Sequence, residues 1–163
     1  MNMEQGNYSF QYDVYDDISQ LSEQDALLLA TARKVTEKAY APYSRFHVGA
    51  AALLENGETV SSTNQENASY PVGICAERVL LSTISSLYPG TSIQAIAVSY
   101  NSEEIKSDHP ISPCGMCRQA LLETELVLKK PIRLILGGQA GKVYVINTVR
   151  SLLPLAFTGD ELS

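Results

Sequence analysis

Sulfur and imidazole are scarce in this chain. Its 163 residues hold three cysteines, Cys75, Cys114 and Cys117, and two histidines, His47 and His109. An odd cysteine count without an export signal argues against a disulfide framework and for reduced thiols. With two histidines to compete for metal, any metal site must be rich in sulfur. Long apolar runs are missing too, and stretches such as Gly49 to Leu54 are far too short to cross a bilayer. Met1 to Asp17 is polar and acidic, without the basic start and apolar core of a secretory signal. Positive charge is in deficit: 12 Lys and Arg face 18 Asp and Glu, for a formal charge of −6, and no basic stripe marks a nucleic-acid surface. These absences predict a soluble, cytoplasmic protein with neither nucleic acid nor membrane as partner. What remains is an ordinary globular mixture, 45% hydrophobic and 18% charged, which can bury the core of one domain and excludes a disordered chain.

Residues 1–21 are polar and aperiodic, with Tyr8, Tyr12 and Tyr15 among them, and predict a flexible or loosely docked extension. The rest, 22–163, predicts a single α/β domain without repeats or linkers. Ser22 and Asp25 resemble a helix start, and Ala26, Leu29, Ala30, Ala32 and Val35 follow at mostly helical spacing up to about Ala39, with Pro42 as the stop. Phe46 to Leu54 alternates as a strand, and Asn56-Gly57 turns it into Glu58 to Ser62. A second helix is expected over Cys75 to Leu87, a buried strand over Ile93 to Ser99, and a polar loop over Asn101 to Ser112. A third helix (Cys114 to Leu126), two strands (Ile132 to Leu136 and Val143 to Ile146) and a short helix (Thr148 to Leu153) complete the chain. That makes five strands.

The chemistry concentrates in Cys75-Ala76-Glu77 and Pro113-Cys114-Gly115-Met116-Cys117. Thiols at i and i+3 lie about 60° apart on one helical face. If Pro113 opens the helix, both sulfurs sit at its mouth, where free amides and the positive dipole end favour negative charge. Cys75 also stands at a helix start, so two mouths could converge three thiolates on one ion. Three protein ligands leave a fourth tetrahedral position for water, as in catalytic zinc sites. In mid-helix, Cys75 and Glu77 would point about 200° apart. Only with Cys75 at the mouth can both face a metal, where a carboxylate that is not a ligand can move water's protons. The plainer alternatives are a first-turn carboxylate complementing the dipole, and a buried cysteine pair plus a stray third.

These motifs resemble the zinc-dependent cytidine deaminases, as do Ala41-Pro42-Tyr43-Ser44-Arg45-Phe46-His47-Val48-Gly49-Ala50, Asn64 to Pro71, Cys75-Ala76-Glu77-Arg78, Ser112 to Gln119 and Leu152 to Phe157, in that order. The ligand set matches the compact, all-cysteine form, which implies a three-layer α/β/α domain around a mixed sheet of about five strands, one zinc per chain and a homotetramer. The implied reaction is hydrolysis of cytidine, and of deoxycytidine, to uridine or deoxyuridine plus ammonia, in pyrimidine salvage. Water activated at zinc attacks C4 of cytosine, and Glu77 carries protons to N3 and to the departing ammonia. Arg78 would offset the excess charge of three thiolates on zinc. Asn64 and Glu66 resemble a ribose-binding pair and Phe46 the residue that packs on the pyrimidine. The Ala76 amide and Ser112 carbonyl would hold the base edge, and Tyr70 and Phe157 resemble residues donated across a subunit boundary.

Taken by themselves, Asn64 is also a turn former, Glu66 a surface charge, Phe46 or Phe157 a core residue and Arg78 an exposed cation. The extension before Ser22 and the long Asn101 to Ser112 loop depart from the compact pattern. His109 in that loop is expected to be solvated, because a fourth protein ligand would displace the reactive water. The rival readings are a deaminase of another amino-heterocycle nucleoside, a catalytically silent zinc scaffold and, against the charge, a polynucleotide editor.

Overall fold

The protein is described by a computed structural model covering residues 3–162; Met1 and Asn2 of the expected extension, and Ser163 at the far end of the expected domain, lie outside the described residues. Strand β1 is Asp13–Tyr15, helix α1 Glu23–Val35, β2 Phe46–Leu54, β3 Thr59–Thr63, α2 Ala76–Leu87, β4 Ile93–Ser102, α3 Gly115–Leu128, β5 Arg133–Gly137 and β6 Val143–Ile146. The strands form one sheet in the order β1-β6-β5-β4-β2-β3. Only the β4–β5 pair is parallel, with α3 as its connection.

Strand alternation divides the core in two. Ala50, Ala52 and Leu54 of β2, Ile96 and Val98 of β4, and Leu134 and Leu136 of β5 pack on one face with Leu80 and Ile84 of α2 and Leu121 of α3. Ala51, Ala95, Ala97 and Ile135, offset by one residue, pack on the other face with Leu28, Leu29 and Ala32 of α1. The result is the expected three-layer α/β/α arrangement. Small residues let α1 lie close on β2: a Cβ on Gly49 would fall 2.2 Å from the Ala32 carbonyl oxygen.

The sheet has six strands where five are expected. Asp13–Tyr15 pairs antiparallel with β6, Asp13 opposite Val145 and Tyr15 opposite Val143, so a strand lies N-terminal to the expected domain start at residue 22. Three residues, of which only Tyr15 is even half-buried, carry no readable alternation. The β4 strand also runs on to Ser102, because Asn101 and Ser102 pair with His47 and Phe46 despite their loop-like composition. The short helix after β6 is a 3-10 turn, Val149–Leu152. Among the described residues no helix is long and apolar enough to cross a membrane.

Candidate active site

The mouths of α2 and α3 open toward each other on the same side of the sheet. Cys75 is the N-cap of α2 and Cys114 the N-cap of α3, both in extended backbone (φ −72°, ψ 152° and φ −67°, ψ 169°) and neither thiol used to cap its helix. Cys117 follows on the first turn of α3 and is fully buried, Cys75 half-buried and Cys114 exposed. The three sulfurs lie within 4.8 Å of one another, with Cys75 to Cys114 at 3.8 Å and Cys114 to Cys117 at 3.5 Å. Ligands about 2.3 Å from a tetrahedral zinc stand roughly 3.8 Å apart, so the cluster is of the size that zinc requires. The cap conformation of Cys75 is what lets it share a cavity with Glu77, two residues on. Ser62 of β3 helps to fix this mouth by donating to the Ala76 carbonyl at 2.7 Å.

The electrostatics lower the proton affinity of one thiol and raise that of the buried acid. A hydrogen bond from Cys117 pulls the Cys75 thiol down to about 6; burial and the Glu77 charge oppose this, while Cys114 and the positive charge of Arg78 assist. Cys117 is pushed upward by the same pairing and by burial. Glu77 is 5% exposed, and burial raises its carboxyl above the usual range, against smaller opposing contributions from its own amide and the Cys117 thiol. A buried carboxyl beside a thiol cluster can hold a proton and release it to a bound molecule. The cavity above it, about 350 Å³, suits a small polar ligand, and its walls include Phe46, Asn64, Glu66, Ala76 and Ser112.

The model of the cytidine and deoxycytidylate deaminase zinc-binding region matches residues 22–130. The chain belongs to this family. Its members are enzymes that hydrolyse a carbon–nitrogen bond. A cytidine deaminase of Halalkalibacterium halodurans is 38% identical over 137 residues, 84% of this chain and 96% of the relative. A crystal structure of cytidine deaminase from Burkholderia pseudomallei superposes with a TM-score of 0.69 at 39% identity, covering 84% of this chain and all of that one. Blasticidin-S deaminase of Bacillus cereus is 32% identical over 142 residues, 85% of this chain and 95% of the relative.

Within this deaminase fold the remaining expected residues separate into two groups. Asn64 and Glu66 line the cavity, but both also hold the chain around it. Asn64 accepts from the Val48 amide at 2.7 Å and donates to the Phe46 carbonyl at 2.9 Å. Glu66 accepts from the Tyr43 amide at 2.9 Å, the Ser44 amide at 3.3 Å and the Ser44 hydroxyl. Burial acts to raise the Glu66 carboxyl, but these bonds outweigh it and hold the group below its usual range. Each side chain keeps lone pairs for a further partner. Tyr70 and Phe157 lie outside this cavity and are 74% and 59% exposed. Tyr70 packs edge-on against Tyr43 and lines a second hollow, about 360 Å³, that shares Ser44, Glu66 and Gly73 with the first. Phe157 is held through its carbonyl, which accepts from the Gln119 side chain at 3.0 Å. His109 lies outside the sulfur cluster, against Asp108 and the Tyr100 hydroxyl. Sequence reasoning does not single out Ser44, Gln65 or Ile111 as walls. Ser44 and Gln65 fall inside blocks that carry the resemblance, whereas Ile111 is one more apolar residue in a polar loop.

Proposed function

We propose that this protein is a zinc-dependent deaminase of cytidine and deoxycytidine, releasing ammonia and the uracil nucleoside. The observation that carries the reading is a cluster of three thiols, two of which, Cys75 and Cys114, line a nucleoside-sized cavity together with the buried carboxyl of Glu77. Cys75, Cys114 and Cys117 would hold the metal, one per chain; when bound, zinc supplies the Lewis acidity that makes water ionisable near neutral pH. Glu77 takes the proton from the attacking water and delivers it to N3 of the base. Glu77 then takes the remaining proton from the oxygen now bonded to C4 and passes it to N4, so that the C4–N4 bond breaks, ammonia leaves and the C4 carbonyl forms. Its raised proton affinity suits a group that must be loaded in one half of the cycle and emptied in the other. Phe46 packs on the base, the Ala76 amide and Ser112 carbonyl hold its edge, and Asn64 and Glu66 take the sugar hydroxyls. Arg78 moderates the charge of the thiolates, as it does for Cys75 in the free site.

Tyr70 and Phe157 are completed in trans, in a homotetramer. The support is their exposure: two large aromatic rings, neither of them a wall of the cavity, have most of their surface open in one chain. The net charge of −6 fits a small-molecule substrate rather than a polynucleotide, and we place the enzyme in cytoplasmic pyrimidine salvage. A second reading, a deaminase of larger cytosine nucleosides, is favoured by the hollow adjoining the sugar end and by the likeness to blasticidin-S deaminase. Ammonia release with stoichiometric zinc analysis tests both. Cytidine turned over far faster than free cytosine and than blasticidin S supports the first reading. A preference for blasticidin S supports the second, and equal rates on cytosine and cytidine would remove the sugar-binding role of Asn64 and Glu66.

A further inference from the structure

Phe46 enters the site from the first position of β2, and a second ring stands behind it. The rings of Phe46 and Tyr100 are 5.0 Å apart between centroids, with planes 14° from parallel. Strand register sets this pair: Val48 lies opposite Tyr100 and Phe46 opposite Ser102, so Phe46 and Tyr100 are diagonal neighbours on one face of the β2–β4 ladder. Tyr100 is fully buried and is not a wall of the cavity itself.

Its hydroxyl serves the long loop instead. It donates to the Lys106 carbonyl at 3.2 Å and lies 3.2 and 3.3 Å from the two ring nitrogens of His109. The base of the loop is pinned as well. The Ser107 carbonyl accepts from the Gln139 amide at 2.6 Å and the Ala140 amide at 3.2 Å, and the Gln139 side chain donates to the Tyr100 carbonyl at 2.9 Å. A Cβ on Gly138 would fall 2.3 Å from the Ser107 oxygen, so this seat needs glycine. Just past His109 the chain presents Ile111 and Ser112 to the cavity.

We infer that Tyr100 is a positioning residue for the base: its ring backs Phe46 while its hydroxyl holds the His109 turn, so that Phe46 and the Ile111–Ser112 segment form one wall of fixed spacing. This deepens the deaminase reading and rests on it. The linkage acts on how the pyrimidine is held. Glu77, which moves the protons, stands apart on α2, so the effect falls on KM rather than on kcat.

The test is steady-state kinetics on cytidine with the zinc-loaded enzyme, Tyr100→Phe, His109→Ala and the double variant. Tyr100→Phe keeps the ring and removes the hydroxyl. Each single variant is expected to raise KM roughly three- to tenfold, the range of one lost hydrogen bond, with kcat within about twofold. The double variant is expected to be no worse than Tyr100→Phe alone, because that change already removes the hydroxyl contact that His109→Ala cuts. An unchanged KM in Tyr100→Phe, a fall in kcat alone, or effects that multiply in full would each overturn the inference. An inactive wild-type enzyme would instead refute the deaminase reading. Calorimetric titration with uridine then reads the wall without turnover: weaker binding by Tyr100→Phe is expected, and equal affinity overturns the inference.

Discussion

Replacing Glu77 by glutamine separates proton transfer from shape. The side chain is 5% exposed at the second position of α2, two residues from the Cys75 thiol, and its volume is part of the packing at that helix mouth. Glutamine keeps the volume and loses the ability to cycle a proton. The structural cost is small: a first-turn carboxylate contributes about 0.3–1 kcal/mol through the helix dipole. Against it stands the relief of a buried acid whose ionised form burial already disfavours. The catalytic cost is large. One general acid–base group is worth about 10²–10⁴ in rate, and in the proposed reaction a single carboxyl serves the water, the ring nitrogen and the leaving ammonia. Turnover is therefore expected to fall by more than about 10⁴, close to 5.5 kcal/mol of barrier, with zinc content and thermal midpoint nearly unchanged. Ammonia release, elemental zinc and thermal unfolding on the same preparation supply the readouts. Retention of a tenth of the activity, about 1.4 kcal/mol, would show that Glu77 is not the proton carrier. Loss of zinc together with activity would make it a structural residue.

Chelating the metal should lower stability as well as activity, because the three proposed ligands join the mouths of two helices; at free zinc about 1,000 times Kd the loss is on the order of 4 kcal/mol, and an unfolding curve indifferent to chelator would contradict the site. Glu66→Gln should unfold at lower temperature than the wild type at neutral pH. The Glu66 carboxyl is held below its ordinary value of 4.5 in the folded chain, so its contribution is present above that value and fades as pH falls further; a thermal gap between the two proteins that failed to close in acid would rule this out. Phe157→Ala should raise KM for cytidine roughly two- to tenfold, from the stacking contribution of about 0.5–1.5 kcal/mol, and sedimentation should show the wild type as a tetramer. A fully active monomer at assay dilution would eliminate donation in trans.

Much of the fold is legible wherever periodicity and a boundary signal coincide. Ser22 does cap α1, accepting from the Asp25 amide at 3.2 Å, and the helix is over well before Pro42. The alternation of β2 is read correctly because neighbouring alanines and leucines do enter opposite cores. Strand β1 is hidden for a physical reason. Its stability comes from the edge of β6 and from a run of ring contacts, Tyr8 to Phe10 to Tyr12, that ends on Tyr144, a partner far along the chain. Nothing local marks those tyrosines as paired rather than merely solvated. The extra length of β4 is hidden in the same way, since Asn101 and Ser102 become strand only by facing His47 and Phe46.

The site divides along the same line. Cys75, Glu77, Cys114 and Cys117 are legible because helix mouths orient side chains locally: an N-cap and the turn after it fix where a thiol points before any tertiary contact forms. What brings the two mouths within 3.8 Å of each other is the packing of α2 and α3 on one face of the sheet, and sequence shows only that both faces of the strands are apolar. Asn64 and Glu66 show the limit of motif reasoning. Their spacing suggests the sugar, yet each also holds the backbone of the segment that carries Phe46, a duty invisible until Val48, Tyr43 and Ser44 are seen as their partners. Removing either side chain would therefore disturb the placement of the base as well as the grip on the sugar. A purely substrate-facing pair predicts a binding defect without loss of stability, whereas the bonds seen here require both to change together.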